Sequence, residues 1–379
     1  VLPGVEVLLR DSLHLLRGKR VGLITNHSGR DRQGRSTIDL LHKAPGVRLT
    51  ALYAAEHGIR GAEKAGAKIA ASVDSATGVP IHSLYGAHRA PTAAMLRDVD
   101  VLVYDMQDVG ARVYTYVWTM ALAADSAGKP FVVLDRPNPI RADRVDGGLL
   151  LKGHESFVGL HPVAMRYGLT PGELLRWLAG TGRAKAPAVH VVPMAGYRRA
   201  MWWEETKLPW VNPSPNLRDV EATLVYTGTV FFEGTNLSEG RGTDAPFKLV
   251  GAPWLDDAPA IAAALNARAI PGVRFEATTR PVEAGYKHGG LTIPMLRVSV
   301  TDRERVNPTA VGLWMLREIR ARHPQEFEWR QGSIDRLSGG TRLRAAVDAS
   351  DAAVRALLAT YERESRAFEA ATQRYRIYR

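Results

Sequence analysis

Val99-Asp100-Val101-Leu102-Val103-Tyr104, running into Asp105-Met106-Gln107-Asp108, decides the fold. A short apolar run rich in β-branched residues that stops at a polar cluster reads as a buried strand. Val109 to Ala127 then carries helical spacing, and Phe131 to Leu134 is a second buried strand ending in Asp135-Arg136-Pro137-Asn138-Pro139. Upstream, the same pattern predicts strands over 19–25, 47–53 and 81–85, with helices over 36–42 and near 92–97. Strands alternating with helices give βαβ units, and hence an α/β fold on a parallel sheet.

Downstream the pattern loosens. Thr170-Pro171-Gly172-Glu173 has the form of a helix start, with Thr170 as N-cap, Pro171 at the first helical position and Glu173 completing a capping box. Residues 224–247 are mixed and glycine-rich. Beyond about 255, helices over 257–268, 308–322 and 350–371 alternate with strands near 272–277 and 291–300. That change divides the chain into a parallel-sheet domain over 1–250 and a smaller α+β domain over 251–379.

At 379 residues with 45% hydrophobic content, the chain has material for two cores. It has no cysteine, which excludes disulfides, a thiolate nucleophile and Cys-ligated metal. The net charge of +11 would suit nucleic acid, an anionic cell wall or an acidic substrate. Its cations are about 40 Arg to 10 Lys, scattered and not striped, so no nucleic-acid partner is expected. No apolar run reaches the ~18–20 residues that span a bilayer.

Asn26, Glu56, Asp105 with Gln107, and Arg136 with Asn138 each directly follow a predicted strand. Open parallel sheets bind ligands outside the carboxyl ends of their strands, so these residues are expected to gather on one edge. No G-x-G-x-x-G follows the first strand, and no Walker, G-x-S-x-G or H-E-x-x-H motif occurs. His57, His82 and His88 lack the spacing of metal ligands. No metal and no cofactor are therefore expected, and His57 reads as a hydrogen-bonding neighbour of Glu56. Carboxylates remain as the chemical groups. Glu56, at the end of a buried strand, suits an acid whose pKa burial raises. A second carboxylate is open among Asp105, Asp108, Glu233 and Glu239, with Glu239 preferred. Trp202, Trp203 and Trp210 read as packing in preference to sugar stacking.

Taken in order, several blocks resemble the NamZ-type exo-β-N-acetylmuramidase family. They are Gly18 through Gly29, Glu56-His57-Gly58-Ile59-Arg60-Gly61, Ser83-Leu84-Tyr85-Gly86, Val103 through Arg112, Leu134 through Pro139, Pro213-Ser214-Pro215-Asn216 and Glu233 through Thr243. The resemblance implies a Rossmann-like first domain without a nucleotide, a smaller domain closing a cleft, and release of N-acetylmuramic acid from non-reducing ends of peptidoglycan fragments. It places a catalytic role on Glu56. Ala55 departs from the family's usual proline. The sugar's lactyl carboxylate would be read by an arginine, for which Arg60, Arg112, Arg136 and Arg241 are candidates. Asn26, His57, Tyr85, Gln107, Asn138, Asn216 and Asn236 are expected as further sugar contacts. The partner implied is a peptidoglycan-derived sugar or muropeptide. A periplasmic or secreted location follows if a signal peptide has been removed, with a cytoplasmic one as the alternative. A non-catalytic muropeptide-binding protein and a cofactor-dependent α/β enzyme are the rival classes.

Overall fold

The computed structural model describes residues 1–55, 59 and 72–379. Glu56, His57 and Arg60 lie outside the described residues, as does most of the loop expected after them.

The larger sheet holds β1 (Arg20–Thr25), β2 (Arg48–Ala54), β3 (Ser72–Val73), β4 (Pro80–Ser83), β5 (Val101–Asp105), β6 (Phe131–Leu134) and β7 (Val189–Val192). Their order is β3-β4-β2-β1-β5-β6-β7, and every pairing is parallel except that of β3 with β4. β5 and β6 are buried along their whole length, as strands covered on both faces must be. The chain builds outward from β1 through β2 to β4, then returns to place β5 on the other side of β1. The carboxyl ends of β1 and β5 therefore flank the topological switch point.

β8 (Leu249–Gly251), β9 (Val273–Pro281) and β10 (Thr292–Val300) form a second, antiparallel sheet in the order β8-β10-β9. Helices 258–267, 308–322, 331–338, 342–349 and 351–372 complete the smaller part. A division at 250/251 falls inside β8, which pairs with β10 through Leu249, Val250 and Gly251. Strand pairing thus puts at least residues 249–251 with the smaller part.

Other expectations shift for local reasons. Residues 92–97 form only turns: Leu96 N–H bonds to the Thr92 carbonyl, and the chain then leaves to start β5. The helix expected from Val109 begins at Tyr116. Residues 220–229 form a helix that the glycine-rich reading missed, capped by Asp219, whose side chain accepts from Ala222 N–H at 2.7 Å. It is buried from Ala222 to Thr229 and so shows no polar face. It crosses helix 308–322 at Gly228 and Gly312, where a Cβ on either residue would strike the backbone of the other helix.

The Thr170 capping box is present, and its Glu173 does more than cap. It is fully buried, pairs with Arg199, and accepts the Ile377 N–H at 2.8 Å. Tyr378 donates to Asp135 at 2.7 Å, and Arg199 N–H donates to the Arg379 carbonyl at 2.9 Å. Residues 377–379 are thereby seated at the end of β6. Trp202 and Trp203 are buried; Trp203 meets Trp210 edge-on at 5.2 Å, and the Trp202 indole donates to Glu304 at 2.6 Å. Among the described residues, no helix is long and apolar enough to cross a membrane.

Candidate active site

The polar residues at the strand ends do converge, but mostly on one another. Asp105 is fully buried and takes a two-point bridge from Arg136, whose Nη2 lies 3.0 Å from Oδ2. Thr37 donates to the same carboxylate, and Arg136 donates onward to the Arg30 carbonyl at 2.7 Å. Asn26 accepts from the Ser28 amide and hydroxyl at 2.9 and 2.6 Å. The Gln107 side-chain amide donates to the Asp108 and Pro137 carbonyls, both at 2.8 Å. Asn138 joins the Leu169 carbonyl to the Ile140 amide at 3.0 and 3.1 Å. These groups tie the ends of β1, β5 and β6 together.

The crevice between them holds a cavity of only about 20 Å³, lined by Ser28, Gln107 and Arg136 and overlaid by Trp203, Leu208 and Pro209. That is room for about one water molecule. The place where open α/β sheets bind nucleotides is therefore plugged by the 203–211 segment. Asp105, expected as a catalytic carboxylate, is held as the buried counter-ion of Arg136.

Arg112, expected as a substrate contact, is fully buried. Its guanidinium donates to the carbonyls of Gly148 (3.0 Å), Val163 (3.1 Å) and Leu337 (2.9 Å), joining the 148–163 segment to helix 331–338. Desolvation lowers its pKa to about 10. Asn236 spends its side chain on the 326–328 segment, donating to the Glu326 carbonyl at 2.7 Å and accepting from the Glu328 amide at 3.0 Å. Asn216 is buried next to the cavity-lining Ser214 and Leu217 without lining the cavity itself.

A larger cavity, about 200 Å³, lies beside the end of β4. Ala54, the last residue of β2, pairs with Ser83, the last of β4, and Tyr85 two residues on lines this cavity. Tyr114, Phe157, Tyr226 and Phe247 supply further aromatic walls, and Glu233 and Arg241 supply the charge. The Tyr114 hydroxyl is buried, and its ring meets that of Tyr116 edge-on at 4.7 Å. Aromatic surfaces with a few convergent polar groups make a ligand site, and this volume suits one ring more than a chain.

Glu233 and Glu239 occupy contrasting environments. Arg241 contacts both, Glu233 at 2.7 Å and Glu239 at 3.0 Å, while its plane lies 4.8 Å over the Phe247 ring. Lys287, from the loop joining β9 to β10, reaches Glu239 at 3.0 Å. The same ammonium donates to the carbonyls of Phe232, Thr235 and Leu237 at 2.9, 3.1 and 2.9 Å. Burial opposes the ionisation of Glu239, yet Lys287 and Arg241 hold its carboxyl below the usual range. For Glu233 burial prevails over Arg241, and its carboxyl is pushed up. Two carboxylates driven apart by their surroundings mark a division of acid–base labour. Glu233 borders the cavity on the 3₁₀ turn 230–234, whereas Glu239 is saturated by cations. Asp108, the other carboxyl weighed from sequence, accepts from Tyr167 and from the Gly110 amide. Its Oδ1 has no hydrogen-bond partner among the described residues, and burial raises its pKa to about 6.

Sequence reasoning missed the aromatic walls Tyr114, Phe157, Tyr226 and Phe247, which belong to no strand end. The one available signal was Glu233 standing before Gly234 in the glycine-rich block. Among the described residues, no three His, Asp or Glu side chains converge as a metal site.

Two family models, described as the N-terminal and C-terminal parts of exo-beta-N-acetylmuramidase NamZ, match residues 21–221 and 224–378. The chain is 40% identical over 382 residues to the peptidoglycan beta-N-acetylmuramidase NamZ of Bacillus subtilis (strain 168), covering 100% of this chain and 91% of that protein. A crystal structure of a DUF1343 family protein from Bacteroides fragilis superposes with a TM-score of 0.92 at 34% identity, covering 100% of this chain and 99% of the other. A second DUF1343 structure from that organism gives 0.78 at 26% identity with the same coverage.

Proposed function

The chain belongs to the NamZ exo-β-N-acetylmuramidase family, and from that premise we propose that it is a glycosidase releasing N-acetylmuramic acid from the non-reducing ends of peptidoglycan fragments. The observation that carries the reading is Glu233. It is a carboxyl raised by burial at the edge of an aromatic cavity sized for one sugar, with Arg241 fixing its direction.

Glycoside hydrolysis uses one carboxyl, kept protonated, to donate to the leaving oxygen, and a second group on the other side of the anomeric carbon. Glu233 has the raised affinity for a proton that the donor requires. Glu56 carries the role implied by the Glu56-His57-Gly58 motif, two residues along the chain from the end of β2. Glu233 takes the place first given to Glu239, because a carboxylate neutralised by Lys287 and Arg241 is a poor acid and a blocked nucleophile. Asp105, Arg112, Arg136, Asn138 and Asn236 act as supports that hold the strand ends and loops, and Tyr85 and Tyr114 face the sugar. The partner is a peptidoglycan-derived sugar or muropeptide, and a periplasmic or secreted location fits a substrate that lies in the cell wall.

Turnover of a chromogenic β-N-acetylmuraminide by wild type, Glu56→Gln and Glu233→Gln tests the reading. Wild type is expected to release the chromophore and both variants to lose most of that rate. A wild type that binds the sugar without turnover would make the chain a muropeptide-binding protein instead.

A further inference from the structure

A sugar that bears a carboxylate needs a cation that is not already spoken for. Arg241 lines the cavity, but its guanidinium is already in contact with both Glu233 and Glu239, and Lys287 reaches Glu239 as well. A substrate carboxylate brought to Arg241 would have to share the guanidinium with Glu233. Arg112 and Arg136 are buried and committed to carbonyls and to Asp105.

Arg89 differs from all of them. It is exposed, on the segment that follows β4 and Tyr85. Its guanidinium lies 4.7 Å from the centre of the Phe157 ring, and Phe157 is a cavity wall whose ring centre is 6.2 Å from that of Tyr85. No carboxylate pairs with it among the described residues. Stacking on an aromatic face restrains a guanidinium while leaving its N–H edges free. A planar fork held in this way suits two-point recognition of a carboxylate.

We propose that Arg89, seated on Phe157 at the rim of the cavity, is the residue that reads the lactyl carboxylate and so selects N-acetylmuramic acid over N-acetylglucosamine, which lacks it. The proposal rests on the glycosidase reading of the cavity. It also makes a claim about binding that holds without turnover.

Equilibrium binding of N-acetylmuramic acid and of N-acetylglucosamine to wild type, Arg89→Gln and Arg89→Lys tests it, with KM measured in parallel on the two chromogenic glycosides. In Arg89→Gln the preference for the acidic sugar should fall roughly 10- to 100-fold, the effect of losing a charge-assisted hydrogen bond. Arg89→Lys, which keeps the charge but not the fork, should recover part of it. An unchanged preference in Arg89→Gln, or a wild type that binds neither sugar, overturns the proposal. Arg89-dependent binding in a wild type that cleaves neither glycoside would overturn the glycosidase reading and leave this one standing.

Discussion

The Arg241 guanidinium stands 2.7 Å from a Glu233 oxygen and 3.0 Å from a Glu239 oxygen, yet only Glu233 opens onto the cavity. One cation thus steers two carboxylates with different duties. Glu233→Gln should lower kcat by roughly 10²- to 10⁴-fold, the usual worth of a positioned proton donor, with the thermal midpoint close to wild type. Glu239→Gln leaves Lys287 and Arg241 without their shared anion and should destabilise the fold by about 3 kcal/mol. Paired rate and melting measurements check the contrast; equal rate losses with equal melting shifts would erase it.

Asp105→Asn should be damaging for a reason unrelated to catalysis. The side chain is 0% exposed and that of Arg136 is 5% exposed, so removing the anion strands a buried guanidinium. Breaking such a pair typically costs about 3–5 kcal/mol. Urea unfolding of the variant reads this directly, and a loss under about 1 kcal/mol would mean that water reaches Arg136.

Asp108 should make stability depend on pH. Burial raises its folded pKa to about 6 from 3.8. The folded chain therefore holds this proton more tightly than the unfolded chain does. The stabilisation it contributes is complete below about pH 4 and is lost as pH rises through about 6, by on the order of 3 kcal/mol. Urea unfolding at several pH values in that window should show a shallower fall in Asp108→Asn than in wild type. Parallel curves would assign the slope to other groups.

Gly312→Ala tests the helix crossing. A methyl group there meets the Gly228 carbonyl of helix 220–229. Overpacking of this kind costs about 1–3 kcal/mol, whereas an exposed helical Gly→Ala gains up to about 1 kcal/mol. The thermal midpoint should therefore fall. A rise would show that the two helices can separate freely.

Much of the larger sheet was readable because β5 and β6 are uninterrupted apolar runs closed by polar residues. Helix 220–229 was not, since periodicity reveals a helix only when one face is polar and this one is buried through its length. The same blindness affected the site. Asp105, Arg112 and Asn138 have the residue types and positions of ligand contacts, but their partners are backbone and side-chain groups tens or hundreds of residues away. Arg112 meets Leu337 across 225 positions, a pairing that no local pattern reports. Glu233 and Tyr114 become visible as a site only when helix 220–229 and the end of β5 are brought around one cavity.

The seating of Ile377 and Tyr378 on Glu173 and Asp135 has a mechanical consequence. The chain passes from the large sheet to the smaller part near residue 222, where the two family models meet, and its last residues are fastened back to the sheet. Together with the Trp202–Glu304 contact, this makes the smaller part a closed belt anchored at both ends, not a flap on one strap. A swing of one half away from the other would have to unbuckle that belt. A cross-link between residue 378 and β6 should therefore leave turnover intact.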